Sequence, residues 1–211
     1  MRKIVTTTFV TLDGVMQAPG GPEEDTRNGF KYGGWSFKFG SVSTYGDELT
    51  RKVMGGFMEL PFELLLGKRT YDIFASYWPT ATQDEIIAKR FNSTRKYVVS
   101  HKPAQLSWNN STLITGDVVS EIKKLKEQDG PDLWVHGSGN LIQTLLKNHL
   151  IDVMHVWIFP ITLGSGQKLF ADGTQPEGLR LVESKISKTG VIIATYELAG
   201  APKADGPLQK V

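Results

Sequence analysis

The chain has 211 residues, 40% of them hydrophobic and 22% charged, with a formal net charge of +2. That length gives one generous domain whose core needs no metal or disulfide staple, and the charge is too mild for a general nucleic-acid binder. The lack of cysteine excludes disulfides, thiolate metal sites and cysteine nucleophiles, and no apolar run nears the roughly 20 residues of a membrane helix.

The N-terminus enters a strand-like run directly (Met1-Arg2-Lys3, then residues 4–10), without a signal-peptide pattern, so a cytoplasmic protein without a membrane partner is expected. Further β-branched runs predict strands at 62–66, 96–100, 112–115, 133–136, 153–162, 179–187 and 191–198. Helical spacing predicts helices at 46–59, 70–75, 118–128 and 140–149. The third of these is the clearest. Asp117 is an N-cap, Glu121 lies near the first turn, Lys123, Lys124 and Lys126 follow towards the C-terminus, and Gly130-Pro131 stops it.

Strand–helix alternation up to residue 150 predicts an α/β fold with a mostly parallel sheet covered on both faces. Beyond it, two strands separated by Lys188-Thr189-Gly190 predict an antiparallel C-terminal hairpin. A single domain over 1–199 with a flexible tail at 200–211 is expected. Residues 19–45 fit no element, being rich in Gly and Pro yet also in Phe, Tyr and Trp. They read either as a loop packed on the sheet or a partner, or as a lid offering aromatic surface to a planar ligand. This aromatic stretch and the apolar 153–161 run together predict a homodimer.

Three predicted strand ends carry the candidate chemistry. One runs into Gly67-Lys68-Arg69-Thr70, one into Ser100-His101-Lys102, and one through His136 into Gly137-Ser138-Gly139-Asn140. In a parallel sheet these ends share one edge, where glycines let backbone approach a phosphate and helix starts favour anions. Neither glycine motif is a complete fingerprint: Ile142 stands at the third glycine of a dinucleotide motif, and residues 67–70 lack a P-loop's upstream glycine. The four histidines show no metal-ligand spacing, and neither Ser138 nor Ser165 sits in a nucleophile elbow, so metal and hydrolase readings are poor.

In order and spacing, Leu12-Asp13-Gly14-Val15, Leu66-Gly67-Lys68-Arg69-Thr70-Tyr71, Val135-His136-Gly137-Ser138-Gly139 and Leu163-Gly164-Ser165-Gly166 resemble the dihydrofolate-reductase-like superfamily. Within it they are most similar to the RibD C-terminal domain family, the reductase part of the deaminase-reductase of riboflavin biosynthesis. The resemblance covers residues 2–198 and implies a three-layer fold and an NADPH-dependent reductase of a small cyclic, pyrimidine- or pterin-like substrate. It implies that Gly67, Lys68, Arg69 and Thr70 hold the adenosine-side phosphates, with Ser100, His101 and Lys102 near the ribose 2′-phosphate. His136, Gly137, Ser138, Gly139, Asn140 and Leu141 fall to the pyrophosphate, and Asp13 with Gly14 to the loop beside the nicotinamide.

Asp13 is the candidate polar group at the reacting centre, and Trp35, Tyr45 and Asp47 are candidate substrate contacts. The first-helix carboxylate of dihydrofolate reductases has no clear counterpart, and the deaminase half is absent. A non-catalytic NADPH- or nucleotide-binding module on the same fold is the alternative.

Overall fold

The computed structural model describes residues 1–40 and 47–202. In chain order the elements are β1 (Ile4–Thr11), α1 (Glu48–Glu59), β2 (Phe62–Gly67), α2 (Lys68–Tyr77), α3 (Glu85–Ser93), β3 (Lys96–Val99) and β4 (Ser111–Ile114). They continue with α4 (Val118–Glu127), β5 (Asp132–His136), α5 (Gly139–Lys147), β6 (Val153–Phe159), β7 (Gly178–Ile186) and β8 (Ile192–Gly200).

All eight strands join one sheet in the order β4-β3-β2-β5-β1-β6-β8-β7. The first six are parallel, β8 runs antiparallel to β6, and β7 closes the hairpin on β8. β1 lies near the middle, between β5 and β6, and nearly every residue of its Ile-Val-Thr-Thr-Thr-Phe-Val-Thr run is buried. That is why it reads as a continuous β-branched run rather than an alternating one.

Its side chains divide by parity. Ile4 and Val10 join a core under α4 and α5, with Ile122, Leu141 and Leu145. Val5 and Phe9 join a second core on the other face with Met54 and Met58 of α1, Tyr71 of α2, and Ile87 and Phe91 of α3. Asp47 caps α1, its carboxylate accepting from the Leu49 amide at 2.8 Å, and Asp117 caps α4 through the Ser120 amide at 3.1 Å. These contacts satisfy amides that a helix start otherwise leaves free.

The sequence expectation and the structure differ in four places. α3 is a further helix, with Ile87, Ala88 and Phe91 buried. β6 stops at Phe159 because Pro160 has no N–H to continue the ladder. The predicted apolar dimer surface at 153–161 is interior, since β6 is flanked by β1 and β8 and Met154, Trp157 and Phe159 are buried. Among the apolar side chains left in solvent is a group on the edge strand β7, where Leu181 is 52% and Ile186 70% exposed. Residues 19–40 divide the two readings of the aromatic segment. Phe30 and Trp35 are buried in the α1-side core with Phe39 packed against it, while residues 19–25 border an open cavity. Tyr45, Gly46 of the expected first helix and residues 203–211 of the expected tail lie outside the described residues.

Among the described residues no helix is long and apolar enough to cross a membrane, and no group of His, Asp or Glu side chains is placed to hold a metal ion.

Candidate functional site

β3, β2, β5 and β1 are adjacent, so their C-terminal ends form one continuous edge. Gly67 ends β2 and directly precedes α2, and His136 ends β5 two residues before Ser138, the residue preceding α5. The two helix starts touch. The Gly67 amide donates to Ser138 Oγ at 3.1 Å, and a Cβ on residue 67 would fall 2.2 Å from that oxygen. Only glycine admits this approach. Gly137 turns the chain with φ of +67°, a left-handed conformation that costs glycine little. Neither α2 nor α5 has a side-chain cap, so the first-turn amides of both remain available to an anion.

A cavity of about 970 Å³ opens beside these helix starts, at the upper end of the range for small-molecule sites. Arg69, Thr70 and residues 136–140 border it, as do Gln143, Gln167 and Lys168. Another stretch of wall is apolar: Met54 from α1, Phe74 from α2, Trp78, and Ile87 and Phe91 from α3. Residues 16–25 complete it. Gln17 holds that segment in shape, its side chain donating to the carbonyls of Asp25 and Arg27, each at 3.1 Å, and accepting from the Gln167 amide at 3.0 Å.

Two of the cations bordering the cavity, Arg27 and Arg69, are paired internally. Asp25, 7% exposed, lies between two guanidiniums, with Arg27 and Arg69 each 2.6 Å from one of its oxygens. Burial alone would raise its carboxyl; the hydrogen bonds from Arg27 and Arg69 outweigh this and hold it well below the usual carboxylate range. Lys68 turns to Asp72 one helical turn on, at 2.6 Å. Burial raises the carboxyls of Glu24 and Asp84, both in the cavity wall.

β1 places Thr7 opposite His136 on one side and opposite His155 on the other. Burial, and after it the His155 ring, lowers the His136 ring to about 3, and burial lowers His155 to about 4. Both imidazoles are therefore neutral at pH 7. His136 Nε2 and Thr7 Oγ1 are shielded from solvent and have no hydrogen-bond partner among the described residues.

The structure brings together the cofactor candidates of two strand ends, Gly67, Arg69 and Thr70 with His136, Gly137, Ser138, Gly139 and Asn140. Leu141 contributes a helix-start amide while its side chain is core. Ser100, His101 and Lys102 emerge from the neighbouring β3, one residue past the Gly67–Val99 pair, but do not border the cavity. Lys68 does not border it either, being turned to Asp72.

Asp13 and Gly14 lie outside the cavity wall. The Asp13 carboxylate accepts from the Thr11 hydroxyl and from the amides of Leu163 and Gly164, the last at 2.7 Å, tying the turn after β1 to the 161–169 loop. The Thr11 hydroxyl is foremost in lowering its pKa. The expected substrate contact Trp35 is buried, its indole donating to the Gln17 carbonyl at 2.8 Å and meeting Phe159 edge-on at 5.3 Å. Asp47, the other described candidate, caps α1 and receives the Lys188 amide at 2.9 Å. Sequence reading missed Asp25 and Arg27, the Gln17 brace and the whole α3 wall. For α3 a signal existed: Asp84 and Glu85 precede an Ile87–Phe91 apolar spacing.

A mostly parallel sheet of this order, opening at its strand ends on a cavity with two uncapped helix starts, is an α/β fold of the dihydrofolate-reductase-like class. Residues 2–193 match the model of the RibD C-terminal domain, and the chain belongs to that family. It is 29% identical over 140 residues to the uncharacterized protein YyaP of Bacillus subtilis (strain 168), covering 65% of this chain and 74% of YyaP. With the uncharacterized protein YwjB of the same organism it shares 25% identity over 122 residues, 58% of this chain and 66% of YwjB.

Among solved structures, a candidate riboflavin biosynthesis protein from Shewanella sp. PV-4 superposes with a TM-score of 0.66 at 20% identity, over 93% of this chain and 98% of that one. A pyrimidine reductase-like protein from Corynebacterium diphtheriae gives 0.61 at 13% identity, over 93% and 92%. Dihydrofolate reductase from Enterococcus faecalis, solved with NADP(H), gives 0.56 at 11% identity, over 93% and 96%. These three likenesses are of fold.

Proposed function

We propose that this chain is an NADPH-dependent reductase of a small cyclic substrate. The observation that carries the reading is the meeting of two uncapped helix starts at Gly67 and Ser138 beside a cavity large enough for a cofactor's reacting end and a substrate. The residues present fit a dinucleotide: glycines permit close backbone approach at 67, 137 and 139, and free first-turn amides of α2 and α5 can receive phosphate oxygens. The nicotinamide, when bound, supplies the hydride. The protein's part is to fix the phosphates, enclose the reacting centre and hold His136 neutral beside it.

Preference for NADPH over NADH rests on residues 100–102 more than on Lys68 and Arg69. The latter two are engaged by Asp72 and Asp25, whereas His101 and Lys102 are exposed and make no ion pair among the described residues. A phosphomonoester gains from such free donors where a hydroxyl does not. Asp13, fixed in its turn, becomes a positioning residue for the loop after β1. The homodimer also belongs to this reading, with its apolar surface moved to β7.

The test is NADPH oxidation, followed by nicotinamide absorbance, across a panel starting with the ribosylaminopyrimidine of the riboflavin pathway and dihydrofolate. Turnover of a cyclic substrate supports the reading. Tight binding with no turnover by any member of the panel favours the non-catalytic module.

A further inference from the structure

The apolar stretch of the cavity wall has a consistent design. Asp84, Ile87 and Phe91 all border the cavity, a spacing of three and then four residues that puts them on one face of α3 and its N-cap. At the rise of an α-helix, Asp84 and Phe91 stand roughly 10 Å apart along that face. The Phe91 ring stacks on Phe74 at 5.7 Å, meets Trp78 edge-on at 5.1 Å and lies 5.1 Å from His136. One end of this aromatic wall is thus the His136–Gly137 corner, and the other end is Asp84.

The Asp84 carboxylate makes no hydrogen bond or ion pair among the described residues. Arg27, Arg69 and Lys168 border the same cavity, yet none of them pairs with it. Its charge acts on Tyr77, whose phenol is raised by burial and then by Asp84. Burial raises the Asp84 pKa. A partly buried carboxylate without a partner is a cost that a ligand's N–H can remove.

We propose that this wall selects a flat, apolar-cored substrate bearing a cationic nitrogen or N–H donor at its outer edge, with Asp84 receiving that group. The inference rests on the reductase reading only in calling the occupant the substrate. It disfavours a phosphate at the Asp84 end of the wall, where it would meet a carboxylate.

The test uses 2-aminoquinoline, whose protonated form can turn the ring N–H and the amine to a carboxylate together, and 2-methylquinoline, of the same size but without the amine. Binding of each to the full chain is measured by calorimetry at neutral pH, alongside NADPH. The wild type is expected to bind the amine about 10-fold or more tighter, as a charge-assisted pair provides. Asp84→Asn, which keeps the size and shape, should erase that preference and leave 2-methylquinoline unchanged. Asp84→Ser, a residue favoured before a helix, serves if the first variant does not fold. Equal binding of the two probes by the wild type, or a preference that survives both variants, overturns the proposal. NADPH binding without probe discrimination sinks this inference alone. Asp84-dependent discrimination without NADPH binding leaves the ligand site standing and removes the reductase reading.

Discussion

Arg69, in the first turn of α2, and Asp25, in the segment after β1, are joined by hydrogen bonds from the arginine Nε and Nη2, the shorter at 2.6 Å. This contact fixes the 19–27 segment against the edge where α2 begins, and Arg27 closes on the same carboxylate from the other side. Because the Asp25 pKa is held down in the folded state, its contribution is fully present above the unfolded carboxylate value of about 3.9 and is lost as pH falls below that. Asp25→Asn should cost about 1–2 kcal/mol at pH 7, limited by the half-exposed arginines. Urea unfolding of both proteins should show the difference shrinking progressively below about pH 4. A gap that stays constant into acid would contradict the pairing.

Gly67→Ala should damage the site without straining its own backbone, whose φ of −69° any residue adopts. The new methyl would fall 2.2 Å from Ser138 Oγ, so one of the two helix starts has to shift. The expected loss is about 1–3 kcal/mol of stability together with weakened dinucleotide binding. Ser138→Gly in the same chain should restore most of both. Thermal melts and NADPH titration of the single and double variants check this, and additive losses would show that the contact is not the cause.

His136 and His155 predict a second, higher pH dependence. Folding lowers both below the unfolded value of about 6.5, to about 3 and about 4, so between those limits the unfolded chain binds more protons. Stability is complete above pH 6.5 and falls on acidification, by up to roughly 1.4 kcal/mol per pH unit for each ring. His136→Leu should flatten one share of that slope in melting temperatures measured from pH 7.5 to 4.5. An unchanged slope would mean that the ring is protonated in the fold.

The parallel sheet was legible because strands buried on both faces keep an uninterrupted β-branched character, as Ile4–Thr11 does. The hairpin was legible because Gly190 marks its turn. α3 escaped notice because Pro79 and the polar residues after it look like a long loop, although Asp84 and Glu85 announce a helix start. The shared edge of strand ends could be read because each of its motifs is local to one strand end. Asp13 could not be assigned in that way. Its turn is visible in Asp13-Gly14, but the amides that claim its carboxylate belong to Leu163 and Gly164, about 150 positions away. Trp35 likewise gains its packing role from a distant partner, Phe159, and Asp47 receives the distant Lys188 amide besides its local cap.

Asp13→Ala should therefore behave as a loop mutation. Three hydrogen-bond donors lose their acceptor, so the melting temperature should fall, with a free-energy loss of about 1–2 kcal/mol. With any substrate that turns over, KM should rise more than kcat falls, and the pH profile of kcat should keep its shape. Loss of a limb of that profile would instead give Asp13 a proton-transfer role.

The most direct test of the account is the affinity of the chain for NADPH and NADH, each measured with the wild type and with Lys102→Ala. The account predicts tight NADPH binding, NADH at least about 10-fold weaker, and a loss in Lys102→Ala that falls mainly on NADPH. Absence of binding to either nucleotide would contradict the cofactor assignment of the two helix starts.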